Sequence, residues 1–363
     1  MIVLTLGGLN GQTTVTGTLM HDGLLREYRL HLPPGHSPSK KAPLVFNLHG
    51  YTSNAAQQEL YSGMNAVADT AGFLVCYPNG ISSAWNVGWV FGSTAKDVSF
   101  ISSLIDELHT KYGIDKDRVY ACGMSNGGFM SYKLACELND RITAIASVTG
   151  SMVPSQLSTC KPGRPVPVME VHGTADQVVA YNGTAPISAP IPDVLNFWRD
   201  NNGCDDDPVV VAVPNTNTAD NTTSEKWTYT NCSADATIMH YKVFGGAHTW
   251  PGAIIITGAT SRDFNASVEI WNFFRRYRLP VATATDENTT ISGIYPNPFT
   301  DKVELTTTQG GRLLIHDLAG RSEGIFWLSP GKNNIDTQNL NSGFYIFTIM
   351  EGGRAIRHRL IKH

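Results

Sequence analysis

A chain of 363 residues, 42% of them hydrophobic and 16% charged, can bury a large core and is long enough for more than one domain. Its 27 basic and 31 acidic residues leave a net charge of −4, without the basic excess of a nucleic-acid binder. No stretch reaches the ~18 uninterrupted apolar residues of a membrane span, and the sequence holds no His-Glu-x-x-His, no Cys-x-x-Cys, no phosphate loop and no dinucleotide fingerprint, so neither a metal nor another cofactor is expected.

In chain order, residues 1–11 are apolar and then small, like the hydrophobic and cleavage parts of a signal peptide without its basic start. A first strand of the mature protein is the other reading. Residues 13–19 and 26–32 alternate polar and apolar and predict an opening hairpin. Short apolar runs follow at 44–48, 73–77, 119–122, 142–148, 166–171 and 238–244, each ending in a loop signal. Helical stripes lie between them, Phe100, Leu104, Ile105, Leu108 and Tyr112 on one and Ile270, Trp271, Phe274 and Tyr277 on another. Strands alternating with helices predict an α/β fold, a mostly parallel sheet covered on both faces, over residues 12–280. Pro280 stops the last helix, and 281–292 reads as a linker.

Only short strands and turns follow, at 302–306, 312–316, 333–336, 344–350 and 357–361, which predicts a small all-β sandwich over 293–363. Within it, Ile294-Tyr295-Pro296-Asn297-Pro298-Phe299, Leu328-Ser329-Pro330-Gly331 and the ending Arg359-Leu360-Ile361-Lys362-His363 resemble the C-terminal sorting domain of Bacteroidetes type IX secretion substrates. The resemblance implies type IX secretion machinery as a partner and an extracellular or outer-membrane-surface location. An immunoglobulin-like spacer or a carbohydrate-binding module is the other reading.

Six cysteines fit an exported protein. Cys204 and Cys232 flank a polar, Asn/Thr/Asp-rich excursion and are the better disulfide candidates, with Cys136 and Cys160 a second pair. Cys76 and Cys122 fall inside predicted buried strands and read as inert thiols.

The chemistry centres on Gly123-Met124-Ser125-Asn126-Gly127, a G-x-S-x-G pattern between the 119–122 strand and a helix carrying Phe129, Tyr132 and Leu134. Glycines on both sides permit a sharp strand-to-helix turn that lifts a serine hydroxyl out of the sheet edge. A serine needs a base oriented by an acid, and in this context they follow in the order acid, then histidine, each just past a strand. Asp176 and His248 hold those places. His240 lies inside a strand and reads as a packed residue, and His49 reads as a loop-shaping one. Backbone amides of Asn126 and of Tyr51, in the loop after 44–48, are the candidate oxyanion donors. Trp85, Trp89, Trp250 and Tyr51 fall in loops at the same rim, where Trp85 and Trp250 are candidates for the wall of a substrate cleft.

Taken together, Leu48-His49-Gly50-Tyr51-Thr52, Tyr77-Pro78-Asn79-Gly80, residues 115–120 leading into Gly123-Met124-Ser125-Asn126-Gly127-Gly128, His172-Gly173-Thr174-Ala175-Asp176 and Gly246-Ala247-His248-Thr249-Trp250-Pro251-Gly252 resemble the polyhydroxybutyrate depolymerase/feruloyl esterase group, related to carbohydrate esterase family 1, over about residues 20 to 280. The resemblance implies an α/β-hydrolase fold, a secreted serine esterase whose triad maps onto Ser125, Asp176 and His248, and a Cys204/Cys232 pair like the group's. Cys122 departs from the small residue, such as Thr, expected there. The expected substrate is a feruloyl ester of plant cell-wall polysaccharide, or a small aryl or alkyl ester; acetylated xylan and polyhydroxybutyrate are the alternatives. A serine peptidase and a non-catalytic carbohydrate-binding protein are the readings from other classes.

Overall fold

A computed structural model describes residues 13–279 and 294–363, apart from 309, 319, 352 and 353. The expected signal-peptide remnant and linker lie outside the described residues. Contacts divide the chain into two compact units, Met1–Leu279 and Pro280–His363.

In the first unit the strands are β1 (Thr13–His21), β2 (Leu24–Leu32), β3 (Ala42–Leu48), β4 (Leu74–Pro78), β5 (Ile114–Met124), β6 (Ala144–Val148), β7 (Val168–Gly173), β8 (Val209–Val213), β9 (Thr223–Tyr229) and β10 (Ile238–Phe244). They form one sheet in the order β1-β2-β4-β3-β5-β6-β7-β10-β9-β8. The run from β4 to β10 is parallel, and antiparallel pairs extend it at both ends.

Strand alternation sorts the apolar side chains onto two faces. Leu44, Phe46, Leu48, Val119, Ala121 and Val168 join one core. Val45, Tyr120, Cys122, Met169 and Val171 join the other. Of the helices α1 (Ala55–Ser62), α2 (Met64–Ala71), α3 (Asp97–Tyr112), α4 (Asn126–Glu137), α5 (Pro154–Thr159), α6 (Ile191–Asn202) and α7 (Ala266–Phe274), α3, α4 and α6 pack on the first face. Helices α1, α2 and α7 pack on the second. Both faces are therefore dry, which is why the central strands read as unbroken apolar runs.

Strands β8 and β9 occupy what reads in the sequence as a polar excursion. Val209, Val210 and Val211 are all exposed at the sheet edge, so no buried face stamps a pattern on them. Disulfides join Cys204 to Cys232 across the base of this ribbon and Cys136 to Cys160 after α4. Cys76 and Cys122 are buried free thiols, and burial raises both far above the usual thiol range.

The second unit is all β. Strands β11 (Lys302–Thr307) and β14 (Gly331–Asp336) pair with each other, while β12 (Gly311–Asp317), β13 (Ser322–Leu328), β15 (Gly343–Glu351) and β16 (Arg354–Lys362) form a sheet in the order β13-β12-β15-β16. Val303, Leu305, Leu313, Ile315, Phe347 and Ile349 fill its own core. Strand β13 escapes the sequence reading because it is an edge strand with Ile325 and Trp327 exposed.

Candidate active site

The C-terminal ends of β5, β7 and β10 carry the candidate residues. Ser125 directly follows β5 and opens α4, with φ 54° and ψ −121°. A non-glycine residue adopts such angles only where its surroundings enforce them. Here Ser125 N donates to Val148 O at 2.9 Å and Ser125 O accepts from Phe129 N at 3.0 Å. The flanking glycines are required by proximity. A Cβ on Gly123 would lie 2.6 Å from the Gly127 carbonyl carbon and 2.7 Å from Leu48 O, and one on Gly127 would collide with Leu48 O. Two backbones and the end of β3 thus meet where no side chain fits.

Asp176 follows β7 and is buried. Its Oδ1 accepts from the amides of Val178 and Val179 at 2.8 and 2.9 Å. Its Oδ2 accepts from Nδ1 of His248, past the end of β10, at 2.8 Å. Burial opposes the charged carboxylate, yet the His248 hydrogen bond and the His248 and His172 charges outweigh it and hold the Asp176 pKa below the ordinary range. The structure therefore joins two of the three triad candidates directly. Among the described residues no hydrogen bond links Ser125 Oγ to His248; catalytic contacts of this kind are often open until substrate is bound.

Facing the serine is the loop after β3. A Cβ on Gly50 would stand 3.5 Å from Ser125 Cβ and 4.0 Å from its Oγ, so the peptide leading into Tyr51 borders the hydroxyl. The loop is held by Thr52 N donating to Ser83 O at 2.8 Å. Beneath it, His49 accepts from Gly80 N at 2.9 Å through Nε2 and pairs with Gly50 O at 2.7 Å through Nδ1. Burial lowers its pKa against that carbonyl contact. His49 shapes the loop. Asn126 opens α4, where first-turn amides have no carbonyl partner within the helix. Its side chain grips the Trp85 backbone, accepting from Trp85 N at 2.6 Å and donating to Trp85 O at 3.3 Å.

The expected tryptophan walls need correction. Trp85 and Trp250 are each 1% exposed. Trp85 Nε1 donates to His49 O at 2.9 Å and Trp250 Nε1 to Ser267 Oγ at 3.2 Å. An indole has one polar atom, and satisfying it inside lets the ring bury fully. Both rings support the rim from within. The accessible aromatics are instead Tyr51, 44% exposed, and Phe91, 43% exposed. Phe91 meets Tyr51 edge-on and stacks on Trp89. Phe91 carries no sequence signal, since only the folded loop brings it to Tyr51.

His240, the rival histidine, is fully buried inside β10. It faces Glu170 O at 3.1 Å through Nδ1 and Tyr181 OH at 3.1 Å through Nε2. Burial drives its pKa down to about 3. The folded ring stays neutral between that value and ~6.5, where the unfolded ring takes up a proton. Its contribution to stability is therefore full above the unfolded pKa and is lost as pH falls toward 3. Replacing His240 with Gln is expected to flatten the acid side of the urea-midpoint profile between about pH 6.5 and 3. A profile with the parent's slope would contradict a neutral His240.

A doubly covered, mostly parallel sheet with a serine at a strand-to-helix elbow and a histidine–carboxylate pair at neighbouring strand ends defines an α/β-hydrolase fold, and its relatives make the protein an ester hydrolase. Residues 26–161 match the family described as esterase PHB depolymerase, and residues 293–363 match the secretion system C-terminal sorting domain. The Nocardia uniformis subsp. tsuyamanensis protein named "Putative esterase NocK" is 31% identical over 279 residues, covering 70% of this chain and 80% of that protein. The chain belongs to the esterase PHB depolymerase family. Feruloyl esterase B of Piromyces equi is 32% identical over 237 residues, but the match spans only 42% of its length. The acetyl xylan esterase from Aspergillus awamori shares the fold, with TM-score 0.51 at 14% identity, over 72% of this chain and 99% of that one.

Proposed function

We propose that the protein is a secreted serine carboxylic-ester hydrolase working through an acyl-enzyme on Ser125. The observation carrying this reading is the Asp176–His248 hydrogen bond on the rim that also bears the strained Ser125. In the first half-reaction His248 Nε2 takes the Ser125 proton as Oγ attacks the ester carbonyl, then returns it to the leaving alcohol. In the second, water replaces the alcohol and Ser125 is restored. Asp176 keeps the His248 proton on Nδ1 and stabilises the imidazolium. The amides of Tyr51 and Asn126 receive the oxyanion; the loss of one such donor typically costs about a hundredfold or more in turnover.

Among substrates, a feruloyl ester of plant cell-wall polysaccharide is favoured. The exposed Tyr51–Phe91 pair, backed by half-buried Trp89, begins one residue from Gly50, which borders Ser125 Oγ, and suits a flat aromatic acyl group. The feruloyl esterase relative supports the same choice. A second reading, a hydroxyalkanoate polyester, draws on the exposed apolar tips Val90 and Ile254, 99% and 93% exposed. The sorting domain supports export through type IX machinery, and among the described residues no helix is long and apolar enough to cross a membrane.

Initial rates on methyl ferulate, acetylated xylan and a hydroxybutyrate oligomer decide the substrate. Methyl ferulate is expected to dominate, and Phe91→Ala to raise its KM more than that of an acetyl ester. A dominant rate on either other substrate would overturn the feruloyl assignment and leave the esterase one standing.

A further inference from the structure

Beneath Asp176 lies a second acid–histidine pair that the ester-hydrolysis scheme does not use. Glu170 and His172 sit two residues apart on β7, point to the same face and are fully buried. Glu170 Oε1 is 2.9 Å from His172 Nδ1, and Glu170 Oε2 accepts from Tyr132 OH, on α4, at 2.7 Å. On its other side, His172 Nε2 faces Val179 O at 2.8 Å and Asp176 Oδ2 at 3.5 Å. The same turn supplies the Val178 and Val179 amides that hold Asp176 Oδ1. The chain of contacts thus runs Tyr132, Glu170, His172, Asp176, His248.

Donor counting fixes the proton content. Both His172 nitrogens face oxygens, and a neutral imidazole has only one N–H. With Glu170 ionised and His172 neutral, a lone pair would face either the Glu170 carboxylate or the Val179 carbonyl. One more proton satisfies both contacts, as imidazolium beside carboxylate or as a protonated Glu170 donating to Nδ1. Other groups around the pair do not supply this charge. His240, from β10, points its Nδ1 at the Glu170 carbonyl oxygen and stays neutral. Tyr181 meets the His172 ring edge-on and gives its hydroxyl to His240. Lys242, opposite His172 in register, places its ammonium over the Tyr181, Trp227 and Phe244 rings. Burial raises the Glu170 pKa, and against burial the Glu170 hydrogen bond and charge raise that of His172.

We propose that Glu170 and His172 are positioning residues which retain a shared proton behind Asp176, clamp its turn through Val179, and extend ester hydrolysis to lower pH. The proposal rests on the Ser125–His248–Asp176 reading above. With the proton on the imidazole, the positive end of the pair is nearest Asp176 Oδ2 and offsets part of the negative charge that His248 senses. Removing the proton leaves the Asp176 carboxylate, which His248 Nδ1 faces at 2.8 Å, without that compensation.

Glu170→Gln tests this, because a Gln amide can donate to Nδ1 and leave Nε2–H on Val179, keeping the geometry while removing the charge. The acid limb of kcat/KM on a soluble aryl ester is expected to move up by about half a pH unit or more. The plateau should fall less. Tyr132→Phe removes the hydroxyl that favours ionised Glu170, draws the proton off His172, and should move the limb in the same direction; it decides the matter should Glu170→Gln not fold. A purely structural pair would lower the plateau and leave the limb in place. Limbs that superimpose on the parent's overturn the proposal. Ser125→Ala is measured alongside: activity there defeats the triad reading itself, whereas an inactive Ser125→Ala with unmoved limbs defeats only this inference.

Discussion

Ser125→Ala is expected to lower kcat on a soluble aryl ester by about a million-fold, the scale seen when a triad serine is removed, while folding is retained. The loss is large because no second nucleophile stands in the elbow. Gly123 and Gly127 are packed backbone to backbone, and Gly50, the residue that borders Ser125 Oγ from the loop after β3, carries no side chain. Folding should survive because Ser125 is held by backbone bonds to Val148 and Phe129, which alanine keeps. Alanine adopts the positive φ that serine already holds, so the backbone strain is carried over and no change in secondary structure is expected. A variant with unchanged circular dichroism and a tenth of the parent's rate would exclude Ser125 as the nucleophile. Failure of a fluorophosphonate to label the parent protein would exclude it independently.

Asp176→Asn should cost about ten-thousand-fold in kcat, with little change in KM. The argument is one of tautomers. Oδ1 of Asp176 accepts from the amides of Val178 and Val179, and an asparagine keeps its oxygen there. Its amide nitrogen then replaces the oxygen that faces His248 Nδ1 at 2.8 Å. Two donors cannot face each other, so His248 shifts its proton to Nε2 and loses the lone pair that would accept the serine proton. Restored activity above neutral pH is not expected, because the defect lies in which nitrogen carries the proton. A variant within tenfold of the parent would show that Asp176 does not orient the base.

Much of this site is legible along the chain because its chemistry is tied to strand ends. An unbroken apolar run marks a strand buried on both faces, and the polar or glycine residues after it mark the end where side chains leave the sheet. Ser125, Asp176 and His248 each stand just past such a run. The rim aromatics are not legible in this way. An indole in a loop looks the same whether it turns outward or inward, and Trp85 and Trp250 turn inward because His49 O and Ser267 Oγ satisfy their N–H groups. Glu170 and His172 left a trace, two polar residues at i and i+2 on one face of a strand buried on both sides, but Tyr132 on α4, Val179 and Asp176 join them only in the fold.

By itself the sequence determined the α/β order of elements, the esterase motifs in their sequence, the all-β C-terminal region and the cysteines available for bridging. These depend on local pattern, on residue spacing and on the backbone freedom of glycine, all of which are carried along the chain. Tertiary structure alone decided that β8 and β9 extend the sheet, that Tyr51 and Phe91 rather than Trp85 and Trp250 reach solvent, and that a buried Glu170–His172 pair lies behind Asp176. The sheet extension, the rim exposure and the placement of that pair against Tyr132, Val179 and Asp176 depend on which atoms from separate segments meet, and hence on which polar groups find partners once water is excluded.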